Sequence, residues 1–438
     1  MYINKWWGSY IGGSDDGLLL LDYFELKNRH GLSLAEICKD LGLDKVIGQG
    51  KLHEGGNIGF MDGDNHCDFV FAINVVTDLA ALFLESIKSD GICLKEFIEH
   101  ETELEIEIIY DKQSFKLLMD ELKLFIQNPY QYDLYELMDK KSMQDMVNDC
   151  RKIFEELSSP YLMLPRWIKY PEIPYRSIGW RMGYGESYWC DEWGPWFDSL
   201  SPEQQADYNA KFPEPLMWQD KHEQHTEEIV QKFAREIMTF WRKDGQPKYT
   251  WSQASKDHEA GIAQEFCFFW GHQPAKDGTI GKSCLSQWWM QDFRVGASHY
   301  CCMEQYMMAE KARIFDDKET GKAIMASNSP KEIKALGRKV RDFNEDLWNF
   351  VKHTIVLTGN YYKFSQHRDL LHFLLNTKGI LVEASPYDRI WGIGMAKSDN
   401  SSSNPTKWKG QNMLGFALTE LRDELVRVYE NVPREGRV

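Results

Sequence analysis

The spacing of apolar and polar residues divides the chain into stretches of different character. Near the start, WWGSYI (residues 6–11) reads as a short strand, and Ser33 with Glu36 three positions on has the capping signature of a helix start. DFVFAINVV (68–76) is a continuous apolar run of strand length, and TDLAALFLESIKSDG reads as a capped helix from Thr77 ending at Gly91. LEIEIIYD (104–111) alternates with period two, as a half-buried strand does, and a helix over 112–127 follows. From Pro160 to about Lys221 the pattern gives way to Pro, Trp, Tyr and Gly, which predicts an ordered arm wrapping another domain, with a helix only at SPEQQADYNAKF (201–212). A helix over about 220–242 leads through the Gly and Pro break DGQPKYTW into the last part of the chain.

In that last part, Met303, Tyr306, Met307, Ile314 and Phe315 form a partial apolar face, and no Pro or Gly intervenes before Gly321, so 300–315 reads as a helix. Gly379 to Val382 is a short strand leading to Glu383 and a loop whose Pro386, Gly392 and Gly394 forbid regular helix. Leu418, Leu421, Leu425 and Val428 continue as an amphipathic helix. The expected class is α+β. A small acidic α+β accessory domain (1–155) precedes an aromatic-rich arm and connecting helix (156–261) and a helix-rich C-terminal domain (262–438).

Charge sharpens this division. Residues 1–155 hold 15 Lys and Arg against 29 Asp and Glu, whereas 262–438 hold 24 against 21, so the net charge of −16 belongs to the front of the chain. Such acidity argues against indiscriminate binding to nucleic acid, while the near-neutral C-terminal part can still accept a pyrophosphate or a short strand. The front half shows no catalytic constellation and reads as a regulatory, partner-binding or immunity-like module. MDGDNHCD (61–68) has neither the Glu nor the spacing of a calcium loop and reads as a turn. Nine cysteines without a Cys-x-x-Cys pair, and 12 histidines without zinc spacing, point to a reducing compartment and no metal. No apolar stretch approaches the roughly 18 residues that span a bilayer, and MYINKWWGSY is not a signal sequence, so a cytoplasmic protein with no membrane contact is expected.

Candidate chemistry sits in two clusters. Glu304 and Lys311 lie two turns apart on one helix face, where an acid and an amine can address one ligand. A carboxyl can move protons at a sugar anomeric carbon, and a desolvated Lys can attack a ring-opened aldehyde; the same pair would also suit an ordinary solvated helix face. In the loop after Glu383, Asp388 can hold ribose hydroxyls and Trp391 offers a flat face for a base, although a core Trp beside an Asp turn reads the same way. Gly410 and Gly415 permit close backbone approach, Asn412 can bind a sugar or base edge, and Arg338 and Lys339 are candidate phosphate contacts.

FCFFWG (266–271), LSQWW (285–289), MEQYMMAEKARIF (303–315), KALGRKVRDF (334–343), LVEASPYDRIWGIG (381–394) and KGQNMLGFALTELRDEL (409–425) resemble the NADAR family in order and spacing, over roughly residues 262 to 432. The resemblance implies N-glycosidase chemistry on ribosylated nitrogen, including release of ADP-ribose from guanine bases in DNA and cleavage of early riboflavin-pathway ribosylamino intermediates. It implies Glu304, Lys311 and Asp388 as catalytic residues, Trp391 with Gly392 as the Asp-x-x-Trp-Gly loop, and Asn412, Leu414 and Gly415 as the Asn-x-Leu-Gly motif. Substrate contacts would then come from Trp288, Arg338, Trp391, Gly392, Asn412 and Gly415, with no cofactor. Where relatives often show Ser-Asn-Phe, this chain has Ser286, Gln287 and Trp288, which puts ligand contacts there in doubt.

The preferred expectation is removal of ADP-ribose from a guanine base in an antitoxin or defence setting, with an ADP-ribosylated nucleobase or nucleic acid as substrate and a protein partner on the acidic module. The alternatives are hydrolysis of a small ribosylamine and a sensor of NAD or ADP-ribose without turnover.

Overall fold

The computed structural model describes residues 2–47, 52, 58–89, 91–97, 104–218, 246–275 and 279–432. The helix expected over about 220–242 lies outside them. Two compact units emerge: the chain up to Pro165 together with Glu186–Tyr208, and Arg166–Gly185 together with Asn209–Asn431. Both mix helices with small sheets, as the α+β reading expects.

In the first unit the alternating segment is a strand, Glu105–Ile109, at the centre of a three-stranded sheet, parallel to Gly31–Ser33 and antiparallel to Ile92–Cys93. Ser33 Oγ accepts the Glu36 N–H at 3.0 Å and caps the Leu34–Asp40 helix. The helix Lys112–Gln127 starts on an Asp111 cap. MDGDNHCD forms a hairpin, Gly59–Asp62 against Asn65–Asp68, with Gly63 turning at φ 58°.

Two sequence expectations fail here. DFVFAINVV is not a strand beyond Asp68; a helix runs from Ala72 to Ser89, starting before Thr77. It is buried from Ala72 through Ser86, its polar Asn74, Thr77, Asp78 and Glu85 included, so no exposed face marks it, and periodicity cannot tell the short apolar run before Thr77 from a buried strand. WWGSYI also forms no strand: Tyr2–Lys5 is a 3-10 turn and Trp7 and Ile11 share only an isolated bridge.

The aromatic arm is ordered and contributes to each unit separately. Residues 186–208 belong to the first, where Trp193 stacks on Trp189 and Phe197 and donates to Tyr208 Oη at 2.9 Å, which in turn donates to the Met163 carbonyl. Residues 166–185 belong to the second, where the Arg166 guanidinium lies 5.6 Å from the Trp180 ring and 5.0 Å from the Trp218 ring. The helix at Pro202–Lys211 forms as expected.

The second unit is built on a parallel pair of strands, Phe266–Phe269 and Ile380–Glu383, in register from Phe266 opposite Ile380 to Phe269 opposite Glu383. Val382, Ala384, Ile393, Met395, Trp408 and Phe416 form a core on this pair. The hairpin Met290–Val295 and Ser298–Cys302 runs directly into the helix Met303–Ile314. Tyr300 to Cys302 are therefore strand, and the predicted helix is shorter by three residues at its start and one at its end. That helix packs on Lys318–Ala326, Pro330–Gly337 and the long helix Glu345–Ser365, which also meets the C-terminal helix Met413–Tyr429. Among the described residues no helix is long and apolar enough to cross a membrane.

Candidate active site

Parallel strands leave their C-terminal ends on one side, and a cavity of about 680 Å³ opens there. Trp270 and His272 follow the first strand, Glu383 ends the second, and Ser385, Tyr387 and Asp388 continue from it; Ser283, Ser286 and Trp288 form another wall. Lys334 and Arg338, one turn apart on and just after the Pro330–Gly337 helix, supply two cations to the same cavity.

Glu304 stands behind Trp288. It is 2% exposed, its N–H is held by the Gln287 carbonyl at 2.9 Å, and its Oε2 accepts the Trp288 Nε1–H at 3.2 Å. A phenylalanine could not make that bond, so the departure of Trp288 from the relatives' pattern gives the carboxyl a donor. Burial pushes Glu304 up to about 7, against the pull of Lys334, the Trp288 hydrogen bond and Arg338; Asp388 adds to the rise. Glu383 goes further, up to about 8, through burial and then the Asp388 and Glu304 charges, with Lys334 opposing. Glu304 Oε1 and Glu383 Oε2 are buried without a hydrogen-bond partner. Two carboxyls that exchange protons near neutrality, each with an unused oxygen, are equipped for acid and base work on one ligand.

Asp388 lines the cavity and is held on both sides. Its Oδ1 accepts the Ile390 and Trp391 N–H groups at 3.0 and 2.9 Å, and its Oδ2 lies 3.6 Å from Lys334 Nζ. The structure thus gathers Trp288, Arg338 and Asp388 on the cavity with Glu304 immediately behind.

The other predicted residues stand elsewhere. The Lys311 ammonium does not line the cavity: it donates to the Gly337 carbonyl at 2.9 Å and lies 4.2 Å from the Phe343 ring centre. Burial lowers its pKa, but its N–H points to the helix-end carbonyl of Gly337 rather than to a ligand site. Asn412 is fully buried, and both ends of its amide clamp the Ile380–Glu383 strand, accepting from Glu383 N–H at 2.9 Å and donating to the Leu381 carbonyl at 3.0 Å. A Cβ on Gly415 would lie 2.1 Å from the Leu381 carbonyl, and one on Gly392 would lie 2.8 Å from the Glu383 carbonyl, so both glycines allow close packing. Trp391 is half-buried beside the cavity rather than on its wall. These residues shape the strand and loop that carry Glu383 and Asp388.

Sequence reasoning missed Lys334 and Glu383. The signals were present: Lys334 is four positions before Arg338, hence on its helical face, and Glu383 interrupts an apolar strand at its C-terminal end, where ligands of parallel sheets bind. Among the described residues no group of three or more His, Cys, Asp or Glu could hold a metal.

The family model described as NADAR domain matches residues 268–426, and that of Immunity protein 68 matches residues 2–157. N-glycosidase R617 of Acanthamoeba polyphaga mimivirus is 40% identical over 166 residues, 36% of this chain and 96% of its own length. Protein irg-1 of Caenorhabditis elegans is 38% identical over 129 residues, 29% of this chain and 61% of its own. N-glycosidase Npun_R5314 of Nostoc punctiforme is 31% identical over 144 residues, 32% of this chain and 85% of its own. The chain belongs to the NADAR family, its NADAR domain spanning residues 268–426 behind an N-terminal region that matches the Immunity protein 68 family.

Proposed function

We propose that residues 262–438 form an N-glycosidase that hydrolyses the bond between ribose C1′ and a base nitrogen, and that its substrate is ADP-ribosylated guanine. The observation that carries this is a pair of carboxyls in the neutral range with unused oxygens, Glu383 on the wall of a cavity that also holds Lys334 and Arg338, and Glu304 directly behind the Trp288 wall of that cavity. Burial pushes both carboxyls up into the neutral range, so the pair holds one proton between them near neutrality, and in the working form Glu304 is ionised and Glu383 protonated. Glu383 delivers its proton to the departing base nitrogen as the C1′–N bond breaks and its electrons pass to the base. Glu304 takes a proton from the water that attacks C1′, leaving ribose with a C1′ hydroxyl. Asp388 holds ribose hydroxyls and the Trp288 ring packs against the substrate. Lys334 and Arg338 pair with the pyrophosphate, which explains why a glycosidase cavity carries two cations. The N-glycosidase names of the mimiviral and cyanobacterial relatives support the reaction class.

We further propose that residues 1–155 bind a basic protein toxin in the cytoplasm, with 156–261 as the linking arm. The acidic surplus of that region and its match to Immunity protein 68 support this role.

The discriminating experiment offers wild type three substrates: an oligonucleotide bearing ADP-ribosylated guanine, the corresponding free nucleoside adduct, and a small ribosylamine without pyrophosphate. Release of ADP-ribose from the first two, with the third cleaved at least about 10²-fold more slowly, is expected from loss of the cationic contacts. Preference for the ribosylamine would transfer the reading to metabolite cleavage.

A further inference from the structure

Behind the cavity lies a buried amine to which neither the family pattern quoted above nor the proposed reaction gives a role. Lys363, near the end of the Glu345–Ser365 helix, is 0% exposed. No acidic side chain stands within ion-pairing distance of it among the described residues, and its ionisable neighbours are the thiols of Cys284 and Cys302 and the His367 ring. A buried ammonium without a counter-ion is costly, and a methionine would fill the same space without that penalty. What the amine adds is a pair of hydrogen bonds, to the Cys284 carbonyl at 2.5 Å and the Ser286 carbonyl at 3.2 Å.

Those two carbonyls bracket the end of the Lys282–Leu285 turn. The next two residues reach Glu304: the Gln287 carbonyl accepts the Glu304 N–H, and the Trp288 indole donates to the Glu304 carboxylate. Ser283, Ser286 and Trp288 from the same short stretch line the cavity. The segment 284–288 is therefore held from behind by one amine and meets Glu304 in front. Helix-to-loop fixation of this kind orients a reacting group without touching substrate.

We propose that Lys363 is a positioning residue, which fixes the 284–288 segment so that the Trp288 indole stays in register with the Glu304 carboxylate. The proposal rests on the reading of Glu304 as the base that activates water. Loss of the amine leaves the buried Cys284 carbonyl without its donor and the Ser286 carbonyl with only the Trp289 N–H at 3.3 Å, and frees the segment to shift. Among the groups around Glu304, Lys334, Arg338 and the Trp288 bond hold its proton affinity down and Asp388 raises it, so loosening the indole contact raises it further.

The test uses the full chain with Lys363→Met, which keeps volume and removes the donors, and Lys363→Gln, which keeps one donor. Three readouts are taken: kcat and KM on the ADP-ribosylated guanine oligonucleotide, the pH dependence of kcat, and the indole 15N–1H resonance of Trp288, assigned by its loss in Trp288→Phe. The methionine variant is expected to lose on the order of 10²-fold in kcat with KM within roughly 3-fold of wild type. Its ascending pH limb should move to higher pH and the Trp288 resonance should shift, with the glutamine variant intermediate in all three. If the methionine variant does not fold, the glutamine variant is judged by the same criteria. Wild-type kcat, pH limb and Trp288 resonance in a folded variant overturn the proposal. If wild type releases no ADP-ribose, the glycosidase reading fails instead, and the Trp288 resonance still decides whether Lys363 holds the segment.

Discussion

At the scale of single residues, the site separates groups that do chemistry from groups that hold backbone, and each kind responds to substitution in its own way. A carboxyl raised from 4.5 to about 7, as Glu304 is, binds its proton more tightly folded than unfolded. The contribution of Glu304 to stability is then greatest below pH 4.5, falls as pH rises from 4.5 to about 7, and stays reduced by about 3 kcal/mol above that. Glu304→Gln removes this penalty. We expect the variant to unfold at higher denaturant than wild type at pH 8, with the gain vanishing as pH approaches 4.5, while kcat falls by at least about 10²-fold. An equal gain at pH 4.5 and pH 8 would contradict the raised proton affinity. Asn412 behaves oppositely. Asn412→Ala strips partners from the Glu383 N–H and Leu381 carbonyl and places an alanine at φ 52°, so a loss of about 2–4 kcal/mol in urea unfolding is expected. The motif residue read from sequence as a ligand contact is then recognised by its effect on folding.

At the scale of elements, the site depends on how closely two helices approach. A Cβ at Gly337 would lie 1.9 Å from Met308 Sδ and 2.7 Å from its Cγ, so where the Pro330–Gly337 helix sits against Met303–Ile314 the Met308 side chain fills the space that a side chain at Gly337 would need. Gly337→Ala should push this helix, with Lys334 and Arg338, out of place and raise KM for an ADP-ribosylated substrate roughly 10-fold. Adding Met308→Ala makes room for the new methyl and should recover most of that loss, a non-additivity that a double-mutant cycle measures. Gly415→Ala meets the Leu381 carbonyl, a backbone atom, and no side-chain truncation there should rescue it. The same scale shows what the sequence revealed. Period-two alternation located Glu105–Ile109, capping residues located Leu34–Asp40, and the helix read as following the alternating strand is Lys112–Gln127. The helix read from Thr77 is there, but its start at 72–76 was misread as strand because burial on every side leaves no exposed polar face to mark it. Lys334, Glu383 and Lys363 escaped notice because their importance arises from elements far apart in sequence, the strand at 380–383 and the helices at 330–337 and 345–365, meeting around one cavity or its supporting loop.

At the scale of the whole molecule, the chain joins two units whose sequence boundaries are interleaved rather than consecutive. Residues 186–208 follow the Immunity protein 68 match yet belong to the first unit, through the Trp193, Tyr208 and Met163 chain of hydrogen bonds and the Glu192 contact to the Tyr110 N–H. Expression of residues 158–438 alone should therefore give a protein that binds a hydrophobic dye more strongly and aggregates more readily than the full chain, because those aromatics lose their packing. Equal solubility and dye binding would show that 186–208 needs no partner from residues 1–157. The central claim, however, concerns the chemistry of one cavity. It is tested most directly by following free ADP-ribose released from an oligonucleotide bearing ADP-ribosylated guanine as a function of pH, with wild type, Glu304→Gln and Glu383→Gln side by side. Wild type is expected to show a bell-shaped profile with both limbs in the neutral range, and both variants near-complete loss of release at the optimum. Release that persists at wild-type rate in either folded variant, or a wild-type profile flat from pH 6 to pH 9, would contradict it.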